Sequence, residues 1–538
     1  MSEQSTEGFN LEGILSELGS FGKYQLLLLM LLAFRDSFLM MCNFNYVFTA
    51  ADVPFRCIQP SNSTLPWVDF PTQDGATCYR GNASSPDPLR VQCETVVYEN
   101  YNSVVAEFDL GCQPWKATLI GTVHNLGLVF SFILSGFISD RYGRKVVIVA
   151  TPLVVGVAGL LKSFAADYWT LVALEFLETA LGYGNASMVL SLEAVSHSQR
   201  VVFACLSDTL ASAGGACFGL LAWRVPYWRH LMRAIYAPLL VVVVYIFAVD
   251  EGVRWLVARG RRAEAARVLR KVAKVNNVTL SAPARDSLAR IAAADDACTP
   301  PPPPAPRACG VRAALRSRAL CARAALLAAS FVCCSFVFSG AILNSVTISS
   351  TKYLNFSIMM LVQVPTRLVT ALTLTRFGRK LPICIAYCFC AVFFMASAFV
   401  PKSLWWATLA LYMAGKMCSS YGIYSMHVLA LELFPTRARN SLTNLANTVG
   451  RLGSVLAPQT PLLESYLPGL ASMTFSLAAL GPALLALALP DPARAALPDR
   501  LDDAERLAAP APQPAAQLAP QPDTQPHPPS HETVKERL

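Results

Sequence analysis

The sequence predicts an all-α, polytopic membrane protein whose twelve transmembrane helices form two six-helix pseudo-repeats. Hydrophobic residues make up 54% of the 538 residues, charged residues only 15%, and the mean hydropathy is +0.43. These values differ from those of soluble domains. Apolar stretches of about 20 residues, the length that crosses ~30 Å of hydrocarbon, recur along the chain. A short basic motif also occurs twice, at equivalent places in the two halves.

Twelve apolar windows define the predicted spans. They lie at about 24–48, 117–138, 146–164, 168–190, 203–222, 232–249, 322–345, 353–374, 381–400, 404–428, 441–462 and 469–489. The segment before them is acidic and has no basic n-region, so we expect no cleavable signal peptide. The predicted domains are a cytoplasmic N-terminus (1–22), an N-terminal six-helix bundle (23–249) with a large extracellular loop (48–115), a cytoplasmic linker (250–320), a C-terminal six-helix bundle (321–490) and a cytoplasmic tail (491–538).

The distribution of charges predicts the orientation of these spans. Acidic residues dominate the loop 48–115, whereas Lys and Arg gather in the alternate loops. Lys and Arg mark the cytoplasmic side, so both termini are predicted to lie inside the cell. The net charge of +9 is therefore an orientation signal. We expect a lipid bilayer as partner and no nucleic acid, and the sequence does not predict an oligomeric state.

The large external loop carries the signals of an oxidising compartment. Four cysteines fall in it, and disulfides persist outside the cell. Three pairings are possible, and the sequence does not choose among them: Cys57, Cys78, Cys93 and Cys112. Two sequons in the same loop predict glycosylation of Asn62 and Asn82. No zinc spacing occurs among the cysteines, and we expect no metal and no cofactor.

Two different motifs repeat between the halves. "DRYGRK" at 140–145 aligns with "TRFGRK" at 375–380, and "LEAVSHSQR" at 192–200 aligns with "LELFPTRAR" at 431–439. In the second pair a Glu precedes an Arg by seven residues each time. Both motifs hold the same position in a six-helix set, which indicates an internally duplicated transporter with parallel halves. The alternative is that basic turns are simply common on a cytoplasmic face.

The linker and the tail have different compositions. Residues 264–277 have an apolar and a basic side at helical spacing, which predicts a helix on the inner leaflet or on the floor of the bundle. The proline run in 298–310 predicts a flexible connector. The tail from about 507 is rich in Pro, Ala and Gln, which predicts disorder.

Further motifs resemble a known family. They are "PFRC" (54–57), "VRWLVARGR" (253–261), "YLNF" (353–356), "ELFPTRAR" (432–439), "GRLGSVLAP" (450–458) and "LPDPARAALP" (489–498). With the paired basic turns they resemble the major facilitator superfamily. Within it they are similar to the organic cation, anion and zwitterion transporters of solute carrier family 22. The resemblance implies a plasma-membrane secondary transporter that moves small organic ions by alternating access, and not an enzyme.

The chain departs from this family at several positions. Glu175 stands where the family usually has Arg, Thr375 replaces an Asp, Gln363 replaces a Glu, and "DEGVRWL" (250–256) begins the segment after the sixth span. Glu175 and Glu178 resemble an insect branch associated with β-alanine and carcinine. These departures leave open a second function class, a receptor-like protein that keeps the fold without transporting. The coupling ion is not predicted.

Ionisable residues inside spans supply the candidate substrate site, because each costs at least ~2.5–3.5 kcal/mol to insert. Arg451 lies between Gly450 and Gly453, which we interpret as room for a ligand, and its guanidinium suits a carboxylate. Glu175 and Glu178 are three residues apart on one helix face and suit an amine. The pattern favours a zwitterion over an organic anion or cation.

Three more residues complete the candidate set: Lys416, Tyr424 and Asp208. The alternative for the acids and for Arg451 is a structural ion pair with another helix. For Lys416 the alternative is a snorkelling lysine at the end of its span, and for Tyr424 it is packing. The basic turns and the repeated Glu–Arg pairs resemble the latch that closes the cytoplasmic side in the superfamily. This implies latch roles for Asp140, Arg144, Glu193, Arg200, Arg379, Glu432 and Arg439.

Overall fold

The computed structural model describes residues 11–19, 21–58, 79–80, 91–92, 95–196, 199–293, 316–348, 351–374, 376, 378–434 and 439–490. Both sequons, Thr375, the proline-rich connector and the tail from 507 lie outside the described residues. So do the side chains of Cys57, Cys78, Cys93 and Arg439.

The first span is followed by a small β structure. Helix α1 (Leu11–Leu18) precedes the span, which is α2 (Lys23–Asn43) continued by α3 (Asn45–Thr49). In the loop, β1 (Phe55–Ile58) pairs antiparallel with β4 (Thr95–Tyr98), and β2 (Tyr79–Arg80) pairs with β3 (Val91–Gln92). The short helix α4 (Val104–Glu107) follows, with the Ser103 hydroxyl accepting the Val105 N–H at 3.2 Å as an N-cap.

The remaining spans of the N-terminal half follow in order. They are α5 (Pro114–Tyr142), α6 (Arg144–Lys162), α7 (Tyr168–Gly182) with α8 (Ala186–Glu193), α9 (Arg200–Arg224), and α10 (Trp228–Tyr236), which continues through a 3₁₀ segment (Ala237–Val244) into α11 (Tyr245–Ala248). Asp167 caps α7, and hydrogen bonds from Thr170 lower the pKa of its carboxyl group.

A glycine makes the first basic turn possible. Gly143, at φ 108°, lies between the end of α5 and the start of α6, a backbone angle that L side chains rarely adopt. The carboxylate of Glu251 accepts the N–H groups of Arg144 at 2.7 Å and of Lys145 at 3.2 Å. An acid at this position satisfies free donors and complements the positive end of α6.

The described part of the linker, residues 250–293, is largely helical and rests on the first half. It contains α12 (Val253–Ala258), α13 (Arg262–Asn276) and α14 (Ala282–Ala293). These helices share an apolar cluster with α1. Asn276 donates to the Leu18 carbonyl at 2.9 Å and accepts the Tyr24 N–H at 2.9 Å. The amphipathic helix predicted over 264–277 corresponds to α13, and it packs on the floor of the bundle.

The C-terminal half supplies six further spans. They are α15 (Arg318–Ser345), α16 (Lys352–Leu361) with α17 (Gln363–Leu374), α18 (Lys380–Ala398), α19 (Trp405–Leu433) after a 3₁₀ turn (Lys402–Leu404), α20 (Arg439–Leu456) continued by a 3₁₀ segment (Ala457–Ser465), and α21 (Leu470–Ala488). Every predicted span is therefore helical, and the predicted all-α class is confirmed.

Hydropathy alone identifies fewer spans. Among the described residues, nine helical segments are long and apolar enough to cross a membrane. The other three predicted spans are α7–α8, which is interrupted, and the helices α19 and α20. These last two carry several polar side chains, such as Lys416, Asn444 and Arg451.

The two halves meet along two seams that are equivalent by the repeat. Helix α5, the second span, contacts α20, the eleventh, and α9, the fifth span, contacts α16 and α17, the eighth. Each half also has a large apolar core. The cavity described next lies along the first seam.

Candidate functional site

A cavity of about 190 Å³ separates the halves at the end of the bundle that carries the first basic turn. Helix α5, the first residue of α6, helix α8 with the residue before it, and α20 line it. Its polar side chains are Ser135, Ser139, Asp140, Arg144, Asn185, Asn444, Asn447, Thr448 and Arg451. The space is sufficient for several waters or for one small organic ion.

The opposite end of the bundle is closed by contacts between the halves. Gln459 donates to the Thr122 hydroxyl at 2.6 Å and accepts from the Thr118 hydroxyl at 3.1 Å. On the second seam, the Phe48 ring lies 5.1 Å from that of Phe356, and Ser357 donates to the Ala216 carbonyl at 2.7 Å. The cavity therefore lies on the basic-turn side of this closure.

Arg451 occupies the cavity wall, as the sequence analysis expected for a substrate contact. Its guanidinium carbon lies 4.3 Å from the centre of the Phe132 ring, which belongs to the other half. Among the described residues, no carboxylate forms a salt bridge with it. The guanidinium is therefore available to an anionic group that enters the cavity.

The glycines beside Arg451 serve a different purpose from the one we expected. A Cβ atom on Gly453 would lie 1.9 Å from the Val332 carbonyl oxygen, and one on Gly450 would lie 2.4 Å from the Phe331 Cβ. Both neighbours belong to α15. The glycines therefore allow α20 to pack closely against α15 and do not leave space for a ligand.

Glu175 and Glu178 do not face the cavity. Lys162 forms ion pairs with both, at 2.5 Å from Nζ to Glu175 Oε2, and all three side chains have 0% exposure. His124 Nδ1 lies 2.6 Å from Glu175 Oε1, and the Tyr236 hydroxyl lies 3.0 Å from Glu178 Oε1. The structure thus shows the helix-to-helix ion pairs that the sequence analysis left as an alternative.

Lys162 and His124 were not predicted as part of any site. Lys162 ends α6 and looks in the sequence like a residue at the membrane boundary, while His124 is a lone histidine in an apolar window. The sequence feature that could have identified them is that each is an ionisable side chain within or beside a predicted span, because such residues need a partner.

The other three candidates lie in two places. Lys416 is fully buried, and its Nζ donates to the Phe338 carbonyl at 3.0 Å and lies 3.0 Å from that ring's centre. Asp208 Oδ2 lies 2.8 Å from Arg367 Nη1, and Arg367 Nη2 donates to the Tyr424 hydroxyl at 2.8 Å. Asp208 belongs to α9 and Arg367 to α17, so this ion pair joins the two halves.

The expected latch residues form pairs within each half. Arg144 Nε lies 3.4 Å from Glu193 Oε1, and its Nη1 lies 3.3 Å from Asp140 Oδ1. In the other half, Arg379 Nη2 lies 3.0 Å from Glu432 Oε1. Arg200 Nη2 lies 3.8 Å from Glu12 at the start of the chain.

The side chain of Arg439, the remaining expected latch residue, is not among those described. Glu251, which caps α6, was not predicted, although it is one of the two acids of the "DEGVRWL" segment.

The external cysteines are described only in part. Cys112 is disulfide-bonded, and its partner belongs to the residues whose side chains are not described. Among the described residues, no group of three or more His, Cys, Asp or Glu side chains is arranged to hold a metal ion.

The family model described as Major Facilitator Superfamily matches residues 98–458. The chain is 27% identical over 535 residues to the Drosophila melanogaster "Organic cation transporter protein", covering 94% of this chain and 96% of that one. It is 27% identical over 529 residues to the Rattus norvegicus "Organic cation/carnitine transporter 2", covering 91% and 93%. It is 26% identical over 413 residues to the rat "Solute carrier family 22 member 3", covering 76% and 73%. The predicted resemblance to solute carrier family 22 is confirmed.

Solved structures show the same fold. The major facilitator proton:xylose symporter XylE matches with a TM-score of 0.59 at 15% identity, covering 89% of this chain and 98% of that chain. The inward-open form of XylE from E. coli matches with a TM-score of 0.57 at 14% identity, covering 90% and 98%.

Proposed function

The chain belongs to the major facilitator superfamily, and from that premise we propose that it carries small zwitterions with a carboxylate, of the β-alanine or carnitine type, across the plasma membrane. Its relatives are transporters and not enzymes, and it is a multi-pass secondary transporter of organic ions. We also propose that both termini lie inside the cell, as the distribution of Lys and Arg predicts.

The observation that best supports this proposal is the position of the Arg451 guanidinium, which lines the cavity between the halves. A guanidinium within a membrane is costly unless a partner compensates its charge, and no described carboxylate pairs with it. A substrate carboxylate would accept two parallel N–H bonds from it. Arg451 and Phe132 lie in opposite halves, so a bound carboxylate would sit on the surface at which the halves move relative to each other.

The amine of such a substrate would bind elsewhere than the sequence analysis expected. Glu175 and Glu178 are closed off by Lys162, so the acceptors that line the cavity are the side-chain oxygens and the Asp140 carboxylate, which also pairs with Arg144. An ammonium or quaternary ammonium group is compatible with this polar lining. Carcinine, which we also expected from the sequence, has no carboxylate and therefore gains no support from Arg451.

An organic cation carrier is the second candidate. Two relatives are named for organic cations, and the side chain of Asp208 remains 41% exposed despite its pairing with Arg367. An organic anion carrier would need Arg451 for the substrate's carboxylate but would not need Asp140 or Asp208 for an amine. A receptor without transport would show no uptake of any class.

The test is an uptake panel in cells that express the protein, with and without sodium. We expect β-alanine and carnitine to enter faster than in untransfected cells, and tetraethylammonium and succinate to enter more slowly than the zwitterions. Uptake of tetraethylammonium alone would replace the zwitterion proposal with the cation carrier. Surface biotinylation and epitope tags at both termini, accessible only after permeabilisation, test the predicted membrane and orientation.

A further inference from the structure

The N-terminal half contains a second group of ionisable residues that the substrate site does not use. We call it the buried charge cluster, and four helices supply it: His124 from α5, Lys162 from α6, Glu175 and Glu178 from α7, and Tyr236 from α10. Every one of these side chains is fully buried in the core of the bundle. A cluster of this kind inside a membrane protein indicates a functional role.

The charges of the cluster do not balance. Two carboxylates contact one ammonium, so with His124 neutral the group carries one negative charge with no contact to solvent. The other groups that face it are neutral in their ordinary state: Cys42, Asn45, Tyr46, Tyr183 and Tyr236. An unbalanced charge is unfavourable in such an environment, and binding one proton would remove it.

The hydrogen bonds indicate which atom takes the proton. Both oxygens of Glu175 already accept N–H donors, from Lys162 at 2.5 Å on Oε2 and from Asn45 at 3.2 Å on Oε1, where the His124 ring nitrogen also lies. Glu178 accepts from Lys162 through Oε2 only.

The remaining oxygen, Glu178 Oε1, faces hydroxyl groups. Tyr236 lies 3.0 Å from it and Tyr183 lies 3.5 Å from it. The Tyr236 hydroxyl accepts N–H bonds from Asn45 at 2.9 Å and from Lys162 at 3.1 Å, so it acts as a donor to Glu178. The Tyr183 hydroxyl can donate to a carboxylate or accept from a carboxylic acid, so Glu178 Oε1 can gain a proton without losing an N–H bond. No such atom exists on Glu175.

The cluster is also linked to the cavity. Helix α7 ends at Gly182, and the chain is interrupted there before α8, whose first residue lines the cavity. Ser131 holds the interruption, because its hydroxyl donates to the Tyr183 carbonyl at 2.8 Å and accepts the Tyr183 N–H at 2.9 Å. The next residue, Phe132, is the ring against Arg451. Tyr183, whose hydroxyl lies 3.5 Å from Glu178 Oε1, is thus held by the neighbour of a cavity-lining residue, at a broken helix of the kind that carriers use for ion sites.

We propose that Glu178 is a proton-binding site whose protonation couples substrate movement to the pH gradient across the membrane. The step is the addition of one proton from cavity water to the Glu178 carboxylate, giving a carboxylic acid, and its release on the other side of the cycle. No other bond is made or broken. The coupling rests on the proposed transport function, whereas the binding of the proton does not.

The first experiment measures proton binding without any substrate. Infrared difference spectra of the purified protein between high and low pH should show the C=O stretch of a buried carboxylic acid, shifted in D₂O. Glu178→Gln should remove that band, and the surface variant Glu264→Gln should keep it. A wild-type spectrum without a titrating carboxylic acid band, or a band unchanged by Glu178→Gln, overturns the proposal, including the case in which His124 takes the proton.

A second variant covers a failure of Glu178→Gln to fold. Tyr236→Phe removes the hydroxyl nearest to Glu178 Oε1, and we expect it to shift the frequency and the midpoint pH of the band. A band that is identical in Tyr236→Phe contradicts the assignment.

The second experiment measures coupling in proteoliposomes, with radiolabelled β-alanine and carnitine as probes. We expect a pH gradient to drive net accumulation in the wild type. In Glu178→Gln this accumulation should fall at least tenfold, while exchange of labelled for unlabelled probe at equal pH continues. Exchange with no response to the gradient in the wild type would refute the coupling and leave the transport function intact. Absence of exchange would count against the transport function, and the infrared result would still decide the proton site.

Discussion

Replacing Arg451 with Ala tests the substrate site most directly. Two charge-assisted hydrogen bonds to a substrate carboxylate would be lost, each contributing about 1.5–3 kcal/mol. In the free protein, however, the guanidinium already lies on the Phe132 ring, a contact of about 0.5–1 kcal/mol that the substrate would displace. The value for each bond already includes its exchange with water. We therefore expect a net loss of about 2–5 kcal/mol, a rise in KM for β-alanine of roughly 30-fold or more.

The assay is concentration-dependent β-alanine uptake, scaled to the amount of protein at the cell surface. Arg451→Lys should lie between the wild type and Arg451→Ala, because it keeps the charge but loses the planar fork. Arg262→Ala, an exposed arginine of α13, is the matched control and should leave KM unchanged. An Arg451→Ala variant with normal KM and normal surface expression would refute the assignment.

Three further predictions concern the packing and the charges of the bundle. Gly453→Val should prevent close packing of α20 and lower the surface level by more than half, whereas Gly136→Ala, with open space around it, should be tolerated. Lys162→Met should leave two buried carboxylates without their cation and destabilise the protein by about 3–5 kcal/mol, seen as a lower Tm in detergent. Asp208→Arg combined with Arg367→Asp should restore transport that either single reversal reduces several-fold, measured as initial uptake.

Each of these predictions has a contrary outcome. Equal surface levels of Gly453→Val and Gly136→Ala would mean that α15 and α20 do not touch as described. If Lys162→Met has the same Tm as the wild type, the ion pairs of Lys162 with Glu175 and Glu178 do not stabilise the protein. A double reversal no better than the single ones would show that Asp208 and Arg367 do not act as a pair.

The membrane spans were largely predictable, because the hydrocarbon core imposes a length and a composition that a single sequence displays. The interruption of the fourth span was not predicted, although Gly182 ends the helix before it and Gly184 lies within it. Such glycines are also frequent in continuous spans, so they do not by themselves mark a break.

The direction of side chains inside the bundle was harder to predict. Both faces of a span are apolar, so periodicity does not show which one meets another helix and which one meets lipid. The partners of Glu175 illustrate this, since Lys162 and His124 come from two other helices. Arg451 lines the cavity, and its role in substrate binding stays a prediction. Its neighbour Gly453 was given the wrong role, because glycine allows close approach of a helix as well as of a ligand.

The contacts of the linker bear on how the chain is made. Glu12 pairs with Arg254 at 2.6 Å, and Asn276 forms hydrogen bonds with both Leu18 and Tyr24. Residues before and at the start of the first span are therefore bound to residues after the sixth. All these partners have been synthesised once α14 is complete. The N-terminal segment of the first bundle can therefore bind the linker helices while the second bundle is still being translated. The later helices then pack against a first bundle whose two ends are already joined.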